Sequence, residues 1–428
     1  MLNLYKLPEI KFPDGFIWGS ATAGHQIEGN NSNAQRWFME LADPKLYEVP
    51  SGLACNGYKL YREDIALLKE LKHQGYRFSI EWSRIQPAEG DFSETALEHY
   101  LDELHLLKES GIHSCVTLHH FTHPQWFEQK GGFSKEENLD DWKRYLEYLI
   151  PKIAPLVDSW CILNEFNLGG DSNLKEKICK LKAHGFGYRI IKAYSNAPAS
   201  SAHAFIHRDP KRRYDPMDIA LASYLDWTDN EFFFHAIRTG EIVLPFHDME
   251  YIPELKGASD FWGINFYTRA IIDSRTKLGR GRAFDFNRFN MIDQYFYKEE
   301  FTPESLIHNL SRLKDLPIWI TENGACCDDD RFRIISLAMH LSALSEAAKL
   351  YGLDVRAYFY WSLMDNYEWR TFRPRFGLVH VDFETFRRTP KPSAYFYREI
   401  IERNGLDGAL FAKYLPELPK LTLYNKPL

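Results

Sequence analysis

Short apolar, β-branched or aromatic runs recur along the chain, and each gives way to a longer stretch whose apolar residues return every three or four positions. Eight such runs stand out, at 16–23, 75–82, 113–120, 157–164, 218–225, 260–267, 316–323 and 355–363. The stretches between them read as helices over 61–73, 98–110, 139–150, 331–350 and 392–402; the first places Ile65, Leu68 and Leu71 on one face. The runs carry apolar residues on both faces, as strands do when helices cover one side and a packed interior the other. Strands alternating with helices predict a parallel sheet with crossovers, and eight strands close one. The expected fold is α/β, a single (β/α)8 TIM barrel spanning 1–428.

An open doubly wound sheet is the rival architecture. It would place a glycine-rich phosphate loop after its first strand, and none stands there. Gly185-Phe186-Gly187 and Gly279-Arg280-Gly281 lack the strand-then-helix setting that such a loop needs. No linker, low-complexity tract or internal repeat divides the 428 residues, a length at which α/β barrels commonly form one unit.

Composition narrows the class further. Hydrophobic residues make up 45% and charged residues 26%, ordinary values for a globular chain able to bury a large core. A formal net charge of −7, spread along the sequence, offers no basic face for nucleic acid. The short run Lys211–Arg212–Arg213 reads as a solvated loop. Six cysteines without a CxxC pair read as reduced thiols, and no apolar run is long enough to span a bilayer. A cytoplasmic, non-membrane protein is the expectation. Aromatics, at 15%, are first of all core material, so their placement has to decide any further role.

Barrel chemistry collects at the C-terminal ends of the strands and in the loops that follow. Those ends are loaded with polar groups: Gln26 and Glu28; Arg77 and Glu81; His119, His120 and His123; Asn164 and Glu165; Asn265 and Tyr267; Glu322 and Asn323; then Trp361, Asp365, Glu368 and Trp369. Glu165 (in WCILNEFN) and Glu322 (in IWITENGA) each close an apolar run. A carboxylate there must meet a cation or face a cleft, because burying it alone is costly. A salt bridge to a nearby arginine is the plain structural reading of either one.

Two carboxyl groups on one cavity are the equipment of glycoside hydrolysis, one protonated to donate and one ionised to attack or to activate water. A carboxylate near Arg77 would stay ionised, and the apolar neighbours of Glu165 make it the better acid. The histidines also admit a metal reading, but His119 and His120 are adjacent on a strand and point to opposite faces. No HExxH, GxSxG or GxxxxGK[ST] pattern is present. Amide, imidazole and indole groups around two glutamates suit a sugar, whose hydroxyls they bond and whose ring face they cover.

At these residues the chain resembles the family 1 glycoside hydrolases, typified by β-glucosidases. The resemblance runs nearly end to end, through FIWGSATAGHQIEG at 16–29, YRFSIEWSRIQP at 76–87, TLHHFTHPQWF at 117–127, LNE at 163–165, DFWGINFYTR at 260–269, ITENG at 320–324, YWSLMDNYEW at 360–369 and RFGLVHVD at 375–382. It implies a retaining mechanism with Glu165 as general acid/base and Glu322 as nucleophile. It assigns Gln26, His120, Asn164, Trp361, Glu368 and Trp369 to sugar binding, and Arg77, Asn265 and Tyr267 to holding the nucleophile. It implies no metal and no cofactor.

Two departures from the family pattern stand out. Phe166 follows Glu165 where a proline is usual, and Phe121 follows His120 where a tryptophan is usual; phenylalanine cannot donate the indole hydrogen bond. The stretch 168–216, where loops of the aglycone entrance are expected, is only faintly similar and looks shortened. The resemblance implies a retaining β-glycosidase acting on β-glucosides, with β-galactosides and β-fucosides as further substrates. The rivals are a 6-phospho-β-glycosidase, a transglycosylase using the same intermediate, and a sugar-binding barrel without catalysis. Glu368 weighs against the first by like-charge repulsion of a phosphate, and the presence of both glutamates weighs against the last.

Overall fold

A computed structural model describes residues 3–168, 174–276 and 300–419. Eight parallel strands form a closed barrel in chain order: β1 Ile17–Ala21, β2 Gly75–Ser79, β3 His113–Thr117, β4 Ser159–Asn164, β5 Ala199–Ala204, β6 Trp262–Asn265, β7 Ile318–Asn323 and β8 Val355–Trp361. The circle closes where β8 pairs with β1, Ala357 opposite Ile17 and Trp361 opposite Ala21. Helices cover the outside: α1 Gln35–Ala42, α2 Gly57–Glu70, α3 Glu94–Glu109, α4 Leu139–Ile153, α5 Leu174–Tyr194, α6 Pro216–Asp226, α7 Phe232–Thr239, α8 Pro303–Leu310, α9 Asp330–Tyr351 and α10 Pro392–Arg403.

Seven of the eight expected runs contain a barrel strand. The run at 218–225 does not; it is the body of α6. Pro216 occupies the first turn, and the Asp215 side chain caps the helix by accepting from the Met217 and Asp218 amides, a start signal that outweighs the β-like appearance of the run. The fifth strand is instead ASSAHA at 199–204, too small and too polar to register as an apolar run. Its hydroxyls are satisfied inside the wall. The Ser201 hydroxyl bonds His184 Nδ1 at 2.7 Å, and Ser200 lies 3.1 Å from the Ser259 hydroxyl.

The core lies between the barrel wall and the helices, where Trp18, Trp82, Trp142, Trp160 and Trp262 are fully buried. Burying a large apolar side chain contributes roughly 1.5–3 kcal/mol. Close approach matters as well: a Cβ on Gly187 of α5 would sit 2.8 Å from Ile162 of β4, so glycine lets this helix press on the strand that ends at Glu165. All six cysteines are buried and none is in a disulfide. Lys211 and Arg212 pair with Asp273 and Asp218, so two of the three cations in the basic run are spent on local ion pairs, and Arg213 is exposed. No helix among the described residues is long and apolar enough to cross a membrane. Gly279-Arg280-Gly281 lies outside the described residues.

Candidate active site

At the C-terminal ends of the strands a cavity of about 490 Å³ opens, lined by Gln26, His120, Asn164, Glu165, Asn265, Tyr267, Glu322, Trp361, Glu368 and Trp369. Arg77 lies beneath the floor, fully buried on β2. The candidate residues read from the sequence therefore meet at one place.

Arg77 organises the floor. Its Nη1 donates to Glu322 Oε1 at 2.7 Å and to the Thr321 carbonyl at 3.0 Å. Its Nη2 donates to Asn164 Oδ1 at 2.6 Å, and its Nε to Thr117 Oγ1 at 3.1 Å. The Tyr267 hydroxyl donates to the other Glu322 oxygen at 2.8 Å. Burial raises the Glu322 carboxyl above the usual carboxylate range, while Arg77, Tyr267 and Asn265 pull against that rise. Burial and the neighbouring Glu322 push the Tyr267 hydroxyl well up, so it remains a donor.

Glu165 comes off the end of β4 with φ at 46°, in the left-handed region that a non-glycine residue seldom adopts. Its Oε1 accepts from Asn265 Nδ2 at 3.0 Å, and the same amide nitrogen donates to Asn164 Oδ1 at 3.0 Å. Asn265 Oδ1 in turn accepts from Thr321 Oγ1 at 2.7 Å. Glu322, Arg77, Asn164, Asn265 and Glu165 thus form a continuous hydrogen-bonded chain. Glu165 is only partly buried whereas Glu322 is buried, so the guanidinium sits on the more enclosed carboxylate.

The walls carry polar groups that point to a hydroxylated ligand. Gln26 donates to Asn366 Oδ1 and to the Tyr367 carbonyl, leaving its buried Oε1 without a partner among the described residues. His120 Nε2 meets Asn164 Nδ2 at 3.3 Å while its buried Nδ1 is likewise unpartnered. Burial, reinforced by Arg77, drives the His120 imidazole well below the usual histidine range, so the ring is neutral near pH 7. The Trp361 indole donates to Glu368 Oε1 at 3.2 Å, and its ring stacks on His120 at 5.7 Å. Each unpartnered buried polar atom costs about 1–3 kcal/mol, a cost that a ligand hydroxyl, able to donate to Gln26 Oε1 or accept from His120 Nδ1, would relieve.

Other strand-end residues turn away from the cavity. The Glu28 carboxylate accepts from Arg84 and Tyr100, and burial lifts it to about 7. Glu81 accepts from Asn31 and Thr122, and Asp365 from Lys391. His119 lies 3.2 Å from the ring of His123, which reaches Glu128 at 2.8 Å. Only His120 of the three faces the cavity, as alternation along the strand end requires. No group of three or more His, Cys, Asp or Glu among the described residues is arranged to hold a metal ion.

Both phenylalanines at the unusual positions have structural partners. Phe166 packs on Phe232 and Phe233 of α7, at 6.2 and 5.5 Å between centroids. Phe121 meets the Trp369 ring edge-on at 5.2 Å. The sequence reading missed Thr117 and Thr321, which brace Arg77 and Asn265, and the rim residues Arg36, Lys177 and Lys180. The threonines lie inside two of the expected runs and could have been sought there; the rim cations carry no sequence signal.

Comparison with known proteins gives a consistent result. The family model for Glycosyl hydrolase family 1 matches residues 8–211 and 179–406. A β-glucosidase A of Acetivibrio thermocellus is 30% identical over 93% of this chain and all of its own length. A 6-phospho-β-galactosidase of Streptococcus equi subsp. zooepidemicus is 29% identical over 91% of this chain and 98% of its own. Among solved structures, a β-glycosidase from Pyrococcus horikoshii superposes with a TM-score of 0.82 at 35% identity, covering 96% of this chain and 99% of that one.

Proposed function

The chain belongs to glycosyl hydrolase family 1 and is a glycosyl hydrolase; on that premise we propose that it is a retaining β-glycosidase of β-glucosides, with β-galactosides and β-fucosides as further substrates. The observation that carries this reading is the pair of glutamates from β4 and β7 on one cavity, joined through Arg77, Asn164 and Asn265.

In this reading ionised Glu322 attacks the anomeric carbon while Glu165 gives its proton to the leaving oxygen. The aglycone departs as an alcohol or phenol, and the sugar stays on Glu322 as a glycosyl ester. Ionised Glu165 then takes a proton from water, whose oxygen displaces Glu322 and leaves Glu165 protonated again. Arg77, Asn265 and Tyr267 hold the nucleophile. Gln26, His120, Asn164, Trp361, Glu368 and Trp369 bind the sugar, the free Gln26 Oε1 accepting from a hydroxyl. Double displacement between carboxylates requires neither metal nor cofactor.

Residues 1–428 act together as one catalytic barrel, and the six buried thiols, none in a disulfide, support a reducing, cytoplasmic setting. A 6-phospho-β-glycosidase is the second reading, favoured by the phosphogalactosidase relative. Glu368 argues for the neutral sugar, since its carboxylate lines the cavity and would meet a phosphate with like charge. A transglycosylase would share every step up to the glycosyl ester and differ only in its acceptor.

Stereochemistry provides the test. Proton NMR of an aryl β-glucoside reaction, recorded before mutarotation, should show β-glucose forming first. If α-glucose leads, Glu322 is activating water across a wider site and the retaining reading is wrong.

A further inference from the structure

The backbone that carries Glu165 is fastened along one side to the neighbouring strand. Between β4 and β5 the pairing runs Cys161 opposite Ser200 and then Asn164 opposite Ala202, so two residues of β4 stand against Ser201 alone. Such a bulge re-aims the side chains that follow it. Cys161 belongs to an apolar cluster with Cys115, Ala202 and Phe359, Ile162 and Leu163 both join the large core, and Asn164 returns to the cavity. At the bulge the Leu163 amide donates to the Ser201 hydroxyl at 3.2 Å. His184 of α5 orients that hydroxyl. Its Nε2 donates to the Ala258 carbonyl at 2.7 Å, so its Nδ1 is the acceptor and takes the Ser201 O–H at 2.7 Å.

Two further contacts follow at alternate residues. The Glu165 amide donates to the Ala202 carbonyl at 2.8 Å. Asn167 then lays its side-chain amide along the end of β5: Nδ2 donates to the Ala204 carbonyl at 2.8 Å, and Oδ1 accepts from the Ala204 amide at 3.1 Å. Nδ2 also donates to the Asp229 carbonyl at 2.9 Å, in the helical turn Trp227–Glu231. The Leu168 amide closes the turn by donating to the Glu165 carbonyl at 3.1 Å. Leu163, Glu165 and Asn167 are thus each tied to β5, around a residue whose φ of 46° is costly and persists only where its surroundings impose it. Phe166 does not fix its own φ as a proline would, so these hydrogen bonds supply the restraint.

Resting on the reading of Glu165 as the proton donor, we propose that Asn167 and Ser201 are positioning residues of the reaction. They clamp the backbone on either side of Glu165 and so aim its carboxyl at the leaving oxygen, without touching the reacting atoms themselves. The clamp also accounts for a polar residue within β5, since position 201 must offer a hydroxyl to the bulge.

A proton donor matters most when the aglycone is a poor leaving group. The kcat/KM values for 2,4-dinitrophenyl, 4-nitrophenyl and phenyl β-glucosides therefore read the aim of Glu165, and their ratios cancel any loss of folded enzyme. Asn167→Ala should slow the phenyl glucoside about tenfold or more beyond the dinitrophenyl one. Ser201→Ala deletes a single hydroxyl, a gentler change for the fold, and should act in the same direction by less; Ser201→Thr, which keeps the hydroxyl, should restore the ratio. Glu165→Ala sets the limit of the effect. If Glu165→Ala discriminates strongly between the substrates while Asn167→Ala and Ser201→Ala slow all three equally, both residues are merely structural and the proposal is overturned. If Glu165→Ala itself keeps the ratios of the unaltered enzyme, Glu165 is not the donor; that reading fails first and the proposal falls with it.

Discussion

Removing the charge of Arg77 tests the electrostatics of the site most directly. Glu322 is 4% exposed and Arg77 not at all, so solvent screens their contact little. Arg77→Met removes a charge-assisted hydrogen bond of 2.7 Å from the carboxylate, a loss of roughly 1.5–3 kcal/mol. At about 1.4 kcal/mol per pKa unit, the Glu322 pKa should rise by about one to two units from a value that burial already holds above the usual range. A nucleophile must be ionised, so the acid limb of kcat/KM against pH should move to higher pH by that amount. The assay is the pH profile of aryl β-glucoside hydrolysis. Uncompensated burial of Glu322 should also cost about 3–5 kcal/mol of stability, so two milder variants guard against loss of the fold. Tyr267→Phe removes only the 2.8 Å hydroxyl bond and should shift the limb the same way by less. Arg77→Lys keeps the charge and should shift it least, while losing the bond to Asn164. If kcat/KM falls in all three variants with the acid limb unmoved, Arg77 does not govern the ionisation of Glu322.

Three further outcomes are expected. Glu322→Gln should abolish turnover and Glu165→Ala should reduce it strongly; with an activated aryl leaving group, azide should restore Glu165→Ala by intercepting the glycosyl ester, and a lack of azide rescue would remove Glu165 from the acid/base role. Hydrolysis of aryl β-glucoside should exceed that of its 6-phosphate by at least about a hundredfold, because like charges about 4 Å apart repel by about 4 kcal/mol at an effective dielectric of 20; Glu368→Gln should narrow the gap, and faster cleavage of the phosphate would reverse the assignment. Burial against Tyr397 lowers the His73 imidazole from 6.5 to about 3. Because the unfolded chain takes up that proton first, stability present above about pH 6.5 should decline as the pH falls toward 3, by roughly 2 kcal/mol at pH 5; urea unfolding of His73→Leu at pH 5 and 7 should show a flatter acid limb, and an unchanged limb would refute this.

How far the sequence reaches depends on what each element buries. Strands such as Ser159–Asn164 and Ile318–Asn323 are buried at every position, and that leaves an apolar run before each glutamate. The strand Ala199–Ala204 is equally buried but built from alanine, serine and histidine, because large rings such as Phe233 and Phe234 approach it from outside. Its apolar partner is on another element, so its own residues do not betray it. The candidate site residues were legible because strand ends are where barrels place chemistry. That rule does not separate Gln26, which faces the cavity, from Glu28, which turns into Arg84. The rim was not legible at all: Arg36 reaches the cavity only because Gln35 pins the start of its helix to a loop some 86 residues further along the chain.

The chain of side chains from Glu322 to Glu165 also bears on how this site can change over generations. Asn164 and Asn265 each hold three neighbours at once, so a substitution at either is felt by both carboxylates. Neither glutamate can be retuned alone from within this chain. Replacements at Arg77, Asn164 and Asn265 should therefore be strongly epistatic, their combined effects departing from the sum of single ones. The rim is tied to that chain more loosely, through His120, which meets Asn164 and the rings of Phe121 and Trp369. Change can accumulate at rim positions such as Phe121 and Phe166 while the inherited pair beneath stays fixed, so divergence in this lineage has a freer end and a more constrained one.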